Sequence, residues 1–336
     1  MTTISIGTTF PKSYQWHIDE IGLIDNIKNQ IDSKYSNSTN LFINTTWFGP
    51  QFNNGEYDKF INLVNNNRQF DNLFLLAAAD PVFLNQDQIT QLKDRLGAKK
   101  LFLIGHFDTE YYFNFHATVV PKYFKSYQDN ELVLKTPQYI FLNYNRKPRD
   151  HRTEFVDKLI ANNLDKHGVI TLGNKITLGE KIENYREGNW GMPDTYGIPH
   201  DIHSLGNMEL WQNHFLTVVS ETEFWPWDNM FISEKTWKPI LGLRPFIING
   251  QTKIYKYLRS QGFKTFNHYF SGIELENLKE FEIHDSLVLA IKQLSLLDKK
   301  EIHAMYQDML PDLNHNKKRF FEFAQEQQYK MNNLFV

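Results

Sequence analysis

Two short segments of the chain carry side chains suited to binding a phosphorylated ligand. In the first, Ser233-Glu-Lys-Thr236, Ser233 is predicted to cap a helix whose first turn holds Glu234 and Lys235. A helix N-terminus attracts anions through its free N–H groups and its dipole, and Lys235 adds a full positive charge there. Glu234 offers an acceptor for ribose hydroxyl groups. The alternative interpretation is an ordinary helix start with a surface ion pair.

The second segment is a basic loop over residues 145–152, with the sequence Asn-Arg-Lys-Pro-Arg-Asp-His-Arg. It follows a predicted strand over residues 139–144 and leads into a helix that Asp150 is predicted to cap. Arginine suits paired contacts with phosphate, and open α/β sheets bind ligands at the carboxyl ends of their strands. We therefore predict phosphate contacts from Arg146 and Arg149. The alternative is a solvated basic loop.

A third segment, residues 220–228, places two glutamates among three large rings just after a predicted strand. Carboxylates such as that of Glu221 bind sugar hydroxyls, and tryptophan rings stack on a base or a sugar. An acidic surface loop anchored by buried rings explains the pattern equally well. Arg152, the last cation of the basic loop, either contacts phosphate, faces solvent or pairs with Glu154.

Titratable residues also follow two predicted strands of the first half, over residues 73–79 and 100–104. A base that removes the proton of an acceptor hydroxyl is expected at this edge, although a turn or capping role is the alternative for each residue taken singly. The candidates for that base are Asp80, His106, Asp108 and Glu110.

Apolar strand patterns alternate with helical patterns through most of the chain, which predicts parallel sheets. Further strands are predicted over residues 40–46, 168–172, 215–219 and 246–248. Helices are predicted over residues 56–66, 86–96, 150–163 and 254–261, and after Ser233. Residues 173–201 are predicted to be irregular, and residues 284–335 to be mostly helical with an interruption near Pro311.

The predicted fold class is therefore α/β, with two Rossmann-like, doubly wound domains. The first domain is predicted over residues 1–137 and the second over residues 138–310. A C-terminal helical tail over residues 311–336 is predicted to pack back on the first domain. The length of 336 residues is sufficient for two separate cores.

Composition narrows the classes of function. The net charge of −3 weighs against a dominant nucleic-acid surface, and the lack of cysteine excludes disulfides, thiolate nucleophiles and Cys-ligated metals. The chain has no Asp-x-Asp pair for a divalent metal and no Gly-x-Gly-x-x-Gly or Walker loop. No signal peptide or membrane span is predicted, so we expect a soluble cytoplasmic protein.

The second half resembles GT-B glycosyltransferases, most nearly the fucosyltransferase-like group. Asn143-Tyr-Asn-Arg-Lys-Pro-Arg149 is similar to the strand-end segment that contacts the donor diphosphate in that family. Residues 232–246 are similar to its Ser/Thr-Glu-Lys helix and the Pro-apolar strand that follows. The same pattern resembles uncharacterised bacterial and phage sequences. The resemblance covers about residues 139–265 and implies two domains that face a cleft.

The resemblance also implies roles for single residues. Glu234 is expected to bind the donor ribose and Lys235 a phosphate. The full set of predicted donor-binding residues is Asn145, Arg146, Arg149, Glu221, Ser233, Glu234 and Lys235.

The resulting hypothesis is a metal-independent glycosyltransferase that moves a sugar from a nucleoside-diphosphate sugar to a hydroxyl group, with no further cofactor. The predicted partner is a nucleotide sugar. The acceptor is either a carbohydrate or a hydroxylated base of phage DNA, and the oligomeric state is left open. Two other classes compete with this hypothesis: a non-catalytic module that binds nucleotide sugars, and a nucleotide-binding hydrolase or epimerase.

Overall fold

The computed structural model describes residues 2–5, 22–44, 62, 64, 66, 69–76, 86–96, 99–105, 109–121, 127–145, 148–173, 175–178, 205, 207–224, 230–270 and 275–336. The chain divides into two compact units. Unit 1 comprises residues 1–119, 227–231 and 324–336, and unit 2 comprises residues 120–226 and 232–323. The division near residue 119 differs from the predicted boundary at residue 137, because residues 120–137 group with the second sheet.

Unit 1 contains a four-stranded parallel sheet in the order β1-β2-β3-β4. Its strands are β1 (Thr2–Ser5), β2 (Asn40–Asn44), β3 (Asn72–Leu76) and β4 (Lys100–Ile104). Its fully described helices are α1 (Leu23–Lys34), α2 (Gln86–Leu96) and α3 (Phe115–Val119). The prediction of parallel strands alternating with helices is confirmed. Among the described strands of this sheet the order runs in one direction, without the reversal of a doubly wound sheet.

Aromatic rings fill much of the core of unit 1. Every residue of β3 is buried, as its continuous apolar pattern predicts. Phe74 on β3 stacks on Phe102 of β4 with ring centroids 4.5 Å apart. The ring of Phe335, near the end of the chain, lies 5.6 Å from that of Phe74 and 4.9 Å from that of Tyr111. The last residues of the chain are therefore part of this core.

Unit 2 contains a five-stranded sheet in the order β7-β6-β5-β8-β9. Its strands are β5 (Tyr139–Asn145), β6 (Gly168–Leu172), β7 (Lys175–Leu178), β8 (His214–Ser220) and β9 (Phe246–Asn249). All neighbouring strands are parallel except β6 and β7. This sheet reverses its order at β5, which is compatible with the doubly wound domain that the sequence predicts.

Helices connect and cover the strands of this sheet. They are α4 (Asp129–Leu132), α5 (Asp150–Ala161), α6 (Met208–Asn213), α7 (Glu234–Leu241), α8 (Lys253–Ser260), α9 (Glu280–Leu294) and α10 (Lys299–Asn332). The last residues of α10 belong to unit 1. Among the described residues, no helix combines the length and apolar character needed to cross a membrane.

Three local predictions differ from the structure. Strand β7 lies in the segment that was predicted to be irregular, and Gly173, with a φ of 61°, forms the turn between β6 and β7. The break in the C-terminal helices falls between α9 and α10, whereas Pro311 lies inside α10. Arg149 rather than Asp150 is the N-cap of α5, and Asp150 is its first helical residue.

A buried arginine joins the start of β8 to the segment before β9. Arg244 is fully buried, and its guanidinium donates hydrogen bonds to the carbonyl groups of His214 at 2.8 Å and Leu132 at 2.7 Å. Hydrogen bonds to carbonyl oxygens offset part of the cost of burying this charge. These contacts fix the chain where it enters β8 and β9.

Candidate functional site

The order of the second sheet identifies where a ligand of this unit is expected. From β5 the chain passes through α5 to β6 on one side, whereas from β8 it passes through α7 to β9 on the other side. Strands β5 and β8 are parallel neighbours, so their carboxyl ends lie at the same edge of the sheet. In open α/β sheets, ligands bind outside the carboxyl ends of the two strands at which the order reverses. The basic loop follows β5 and the acidic segment follows β8.

The start of α7 has the cap that the sequence predicts. Ser233 is extended, with φ −91° and ψ −177°, and its Oγ accepts a hydrogen bond from the backbone N of Lys235 at 3.3 Å. Ser233 is buried, with 1% of its surface exposed. This geometry satisfies one of the free N–H groups of the first turn and directs Glu234 and Lys235 to the edge of the sheet.

The carboxylate of Glu221, one residue past β8, accepts hydrogen bonds from the start of α7. Its Oε1 accepts hydrogen bonds from the backbone N of Ser233 at 3.2 Å and from Thr236 Oγ1 at 2.6 Å. Its Oε2 accepts from Ser233 Oγ at 2.6 Å and from the backbone N of Thr222 at 3.0 Å. Glu221 is fully buried. Four protein donors therefore occupy this carboxylate, and the predicted contact of Glu221 with a ligand stays a prediction.

The backbone of Glu221 connects the other elements of the edge. Its carbonyl oxygen accepts hydrogen bonds from Arg152 Nη2 at 2.8 Å and from His151 Nε2 at 3.1 Å, both on α5. Its N–H donates to the carbonyl of Asn249 at the end of β9 at 3.0 Å. A Cβ atom at Gly250 would lie 2.9 Å from the Cβ of Glu221, so only glycine fits there without displacing the glutamate. Hydrogen bonds of Glu221 therefore connect α5, β8, β9 and α7.

Two cations from different loops reach the same residue at this edge. Arg149 Nη1 donates to the carbonyl oxygen of Thr222 at 2.5 Å and to Glu223 Oε1 at 2.9 Å. Lys235 Nζ donates to Thr222 Oγ1 at 3.3 Å and to Glu234 Oε1 at 2.8 Å. The guanidinium that follows β5 and the ammonium that follows β8 therefore meet at Thr222.

The exposure of these charges shows which of them face solvent. The side chains of Arg149 and Lys235 are 29% and 22% exposed, whereas those of Glu223 and Glu234 are 12% and 6% exposed. Arg152 is buried at 2%, and this burial, together with the nearby Arg149, lowers its pKa to about 10. Arg152 therefore does not face solvent, and its contact with the Glu221 carbonyl ties α5 to the residue after β8.

Asparagine side chains form a buried network at the end of β5. Asn143 Nδ2 donates to the Val218 carbonyl at 2.9 Å and to Ser220 Oγ at 3.0 Å, which ties β5 to β8. Asn145 Nδ2 donates to Asn143 Oδ1 at 2.5 Å, whereas Asn145 Oδ1 is buried and has no hydrogen-bond partner within the described part of the chain. A buried acceptor without a donor costs free energy.

Two buried histidines pack beside the edge. The ring of His151 stacks on Phe224 at 5.2 Å, and the ring of His284 on α9 lies 4.9 Å from the same phenylalanine. His284 Nε2 donates to Asn249 Oδ1 at 3.0 Å. Burial is the main cause that lowers the pKa of His151 to about 3 and that of His284 to about 4. Both imidazoles are therefore neutral near pH 7 and act as packing groups and hydrogen-bond donors.

The structure brings together five of the predicted donor-binding residues: Arg149, Glu221, Ser233, Glu234 and Lys235. Asn145 lies at the end of β5, beside this group in the sheet. Arg146 lies outside the described residues, as do Asp80, His106 and Asp108. Glu110 is an exposed residue of a turn in unit 1. The role of each as a base or ligand contact stays a prediction.

Sequence reasoning missed Thr222 and Thr236, which complete the contacts of Glu221 and of the two cations. A signal for both was present, because Thr222 alternates with the glutamates of the acidic segment and Thr236 lies one turn beyond the cap Ser233. The packing role of His151 and His284 carried no such signal, since their neighbour Phe224 comes from a third segment of the chain.

Comparisons with known proteins found no match, so only the geometry of the site bears on its function. No protein-family model, curated protein or solved structure matches the chain. Within the described part of the chain, no group of three or more His, Cys, Asp or Glu side chains is placed to hold a metal ion. The described cations at the edge are the side chains of Arg149, Arg152 and Lys235.

Proposed function

We propose that unit 2 binds a nucleoside-diphosphate sugar and that the chain is a metal-independent glycosyltransferase with GT-B architecture. The observation that carries this proposal is the meeting of Arg149 and Lys235 at Thr222, at the carboxyl ends of β5 and β8. These are the two strands at which the order of the sheet reverses, and nucleotides bind at that point in many open α/β sheets.

The chemistry of the two cations fits a diphosphate. A guanidinium presents two parallel donors to a phosphate, and an ammonium beside a helix N-terminus adds a compact charge. Each charge-assisted hydrogen bond contributes roughly 1.5–3 kcal/mol, so two of them supply a useful share of the roughly 8 kcal/mol of a micromolar affinity. The resemblance to the fucosyltransferase-like group gives Glu234 the donor ribose as its partner.

In the proposed reaction, the bond between the anomeric carbon of the sugar and the diphosphate oxygen breaks, and the acceptor oxygen forms a new bond to that carbon. The diphosphate leaves with the electron pair of the broken bond. Arg149 and Lys235 stabilise the negative charge that grows on it, as preorganised cations do. The acceptor hydroxyl gives its proton to a base, for which the candidates remain Asp80, His106, Asp108 and Glu110.

A thermal-shift panel of UDP- and GDP-sugars in the presence of EDTA tests this proposal. We expect at least one of them to raise the melting temperature, because ligands that bind only the folded state stabilise it. Slow release of nucleoside diphosphate from the stabilising sugar nucleotide, without an acceptor, then distinguishes an enzyme from a binding module. Binding that strictly requires a divalent metal contradicts the proposal.

A further inference from the structure

We propose that Glu223 is an internal competitor for the phosphate-binding face of Arg149, so that only ligands contacting Arg149 and Lys235 together bind the site. This inference rests on the proposed function and concerns regulation of the same site. The ion pair between Arg149 Nη1 and Glu223 Oε1 measures 2.9 Å. The carboxylate thus lies where a phosphate oxygen would accept a hydrogen bond.

The second cation of the site is held in the same way. Lys235 Nζ lies 2.8 Å from Glu234 Oε1 in a second ion pair. Together with buried Arg152 and Glu221, these two ion pairs comprise three cations and three carboxylates, so the formal charges of these six side chains balance. These six described side chains therefore carry no net charge, although they include the cations that a polyanion needs.

Neutralisation from within the chain changes which ligands can bind. A tethered carboxylate competes at a high effective concentration, because it is never far from its cation. A single phosphate that displaces Glu223 exchanges one anion on Arg149 for another and gains little. Two linked phosphates engage Arg149 and Lys235 in one binding event, so the entropy of association is lost only once for two new contacts.

The opposite role for Glu223 makes the opposite prediction. If its carboxylate mainly held Arg149 in a binding-ready orientation, removing it would weaken phosphate binding. If it competes, removing it strengthens phosphate binding. The sign of the change in affinity therefore separates the two roles, and a variant that merely loses structure cannot imitate a gain.

Isothermal titration with pyrophosphate and with inorganic phosphate, on the full chain in EDTA, provides the test. We expect Glu223→Gln to bind pyrophosphate about three- to tenfold more tightly than the unaltered protein, the modest gain reflecting a partly exposed ion pair. Inorganic phosphate should gain affinity as well. Glu223→Ser, a smaller neutral side chain, should repeat the gain if the glutamine variant packs poorly.

Glu154→Gln is the matched control, because it removes the same charge from an exposed position of α5. Its pyrophosphate affinity should stay within about twofold of that of the unaltered protein, as expected for an exposed charge that solvent and salt screen. An equal gain in this control would assign the effect to net charge and overturn the inference.

The remaining outcomes separate this inference from the proposed function. If the unaltered protein binds nucleoside diphosphate but the Glu223 variants bind pyrophosphate equally or more weakly, the competitor role is wrong and the proposed function stands. If neither the unaltered protein nor the variants bind pyrophosphate or nucleoside diphosphate, both are wrong.

Discussion

At the scale of single residues, Glu221 shows how one buried carboxylate can hold several elements together at the edge of a sheet. It is fully buried, and its two oxygens accept four hydrogen bonds from Thr222, Ser233 and Thr236. Its negative charge also balances the buried guanidinium of Arg152, which donates a hydrogen bond to the backbone carbonyl oxygen of Glu221. The placement of Lys235 depends on this residue, because Ser233 links the two side chains.

We expect Glu221→Gln to lower the free energy of unfolding by about 3 kcal/mol. The glutamine amide brings N–H groups to a place where four donors already point, and it leaves the buried Arg152 without the nearby negative charge. Urea denaturation measures the change. The exposed Glu154→Gln variant should unfold like the unaltered protein, and a loss below about 0.5 kcal/mol for Glu221→Gln would show that the carboxylate does not hold the edge together.

At the scale of elements, the histidines of α5 and α9 couple stability to pH. The pKa of His151 falls from 6.5 to about 3 and that of His284 from 6.5 to about 4, mainly because both rings are buried. Between these values and 6.5 the unfolded chain binds more protons than the folded chain, so acid favours unfolding.

We therefore expect the free energy of unfolding to be highest above pH 6.5 and to fall as the pH drops from 6.5 towards 4. Each histidine contributes up to about 1.4 kcal/mol per pH unit in this window. Urea denaturation at a series of pH values measures the slope, and His284→Gln should reduce it. A stability that is flat between pH 7 and pH 5 would contradict the buried neutral state.

Elements whose pattern is local were predictable from the sequence, and elements decided by distant packing were not. The bounds of α2, β4 and β6 agree with their predictions, because apolar runs and helical spacing are local signals. Pro311 predicted a break that is absent. Its position on α10 is exposed, and the buried stripe through Met309 and Leu313 continues past it.

The features of the candidate site likewise divide into those that local sequence patterns predict and those that depend on distant packing. The cap at Ser233 follows from local helix chemistry, and its position beside the basic loop follows from the strand order expected of a parallel sheet. The contact of both cations with Thr222 and the burial of Arg152 depend on side-chain packing between three segments. No local pattern in the sequence encodes that packing, so these contacts became visible only in the structure.

At the scale of the whole molecule, the chain folds into two units whose segments are not continuous in sequence. Residues 324–336 belong to unit 1, where the ring of Phe335 contacts those of Tyr35, Phe74 and Tyr111. The predicted tail over residues 311–336 thus divides between the units at about residue 323.

We expect Phe335→Ala to destabilise unit 1 by about 3–5 kcal/mol, the usual cost of removing a buried aromatic ring, since Phe335 is only 6% exposed. Hydrogen exchange at the backbone amides of β3 should accelerate, whereas exchange at β8 should change little. Val336→Ala is the matched control, because Val336 is the next residue in the chain and its side chain is 96% exposed. Unchanged exchange at β3 in the phenylalanine variant would remove the end of the chain from this core.

The most direct test of the central claim is the affinity for nucleoside diphosphate, measured by calorimetry in EDTA, of Arg149→Gln and Lys235→Gln. If the two cations hold the diphosphate together, each variant keeps its fold and binds at least about tenfold more weakly, as the loss of one charge-assisted contact requires. Lys158→Gln, at a cation of α5 that pairs with Asp285 instead, should bind normally. Full affinity in either Arg149→Gln or Lys235→Gln would contradict the account.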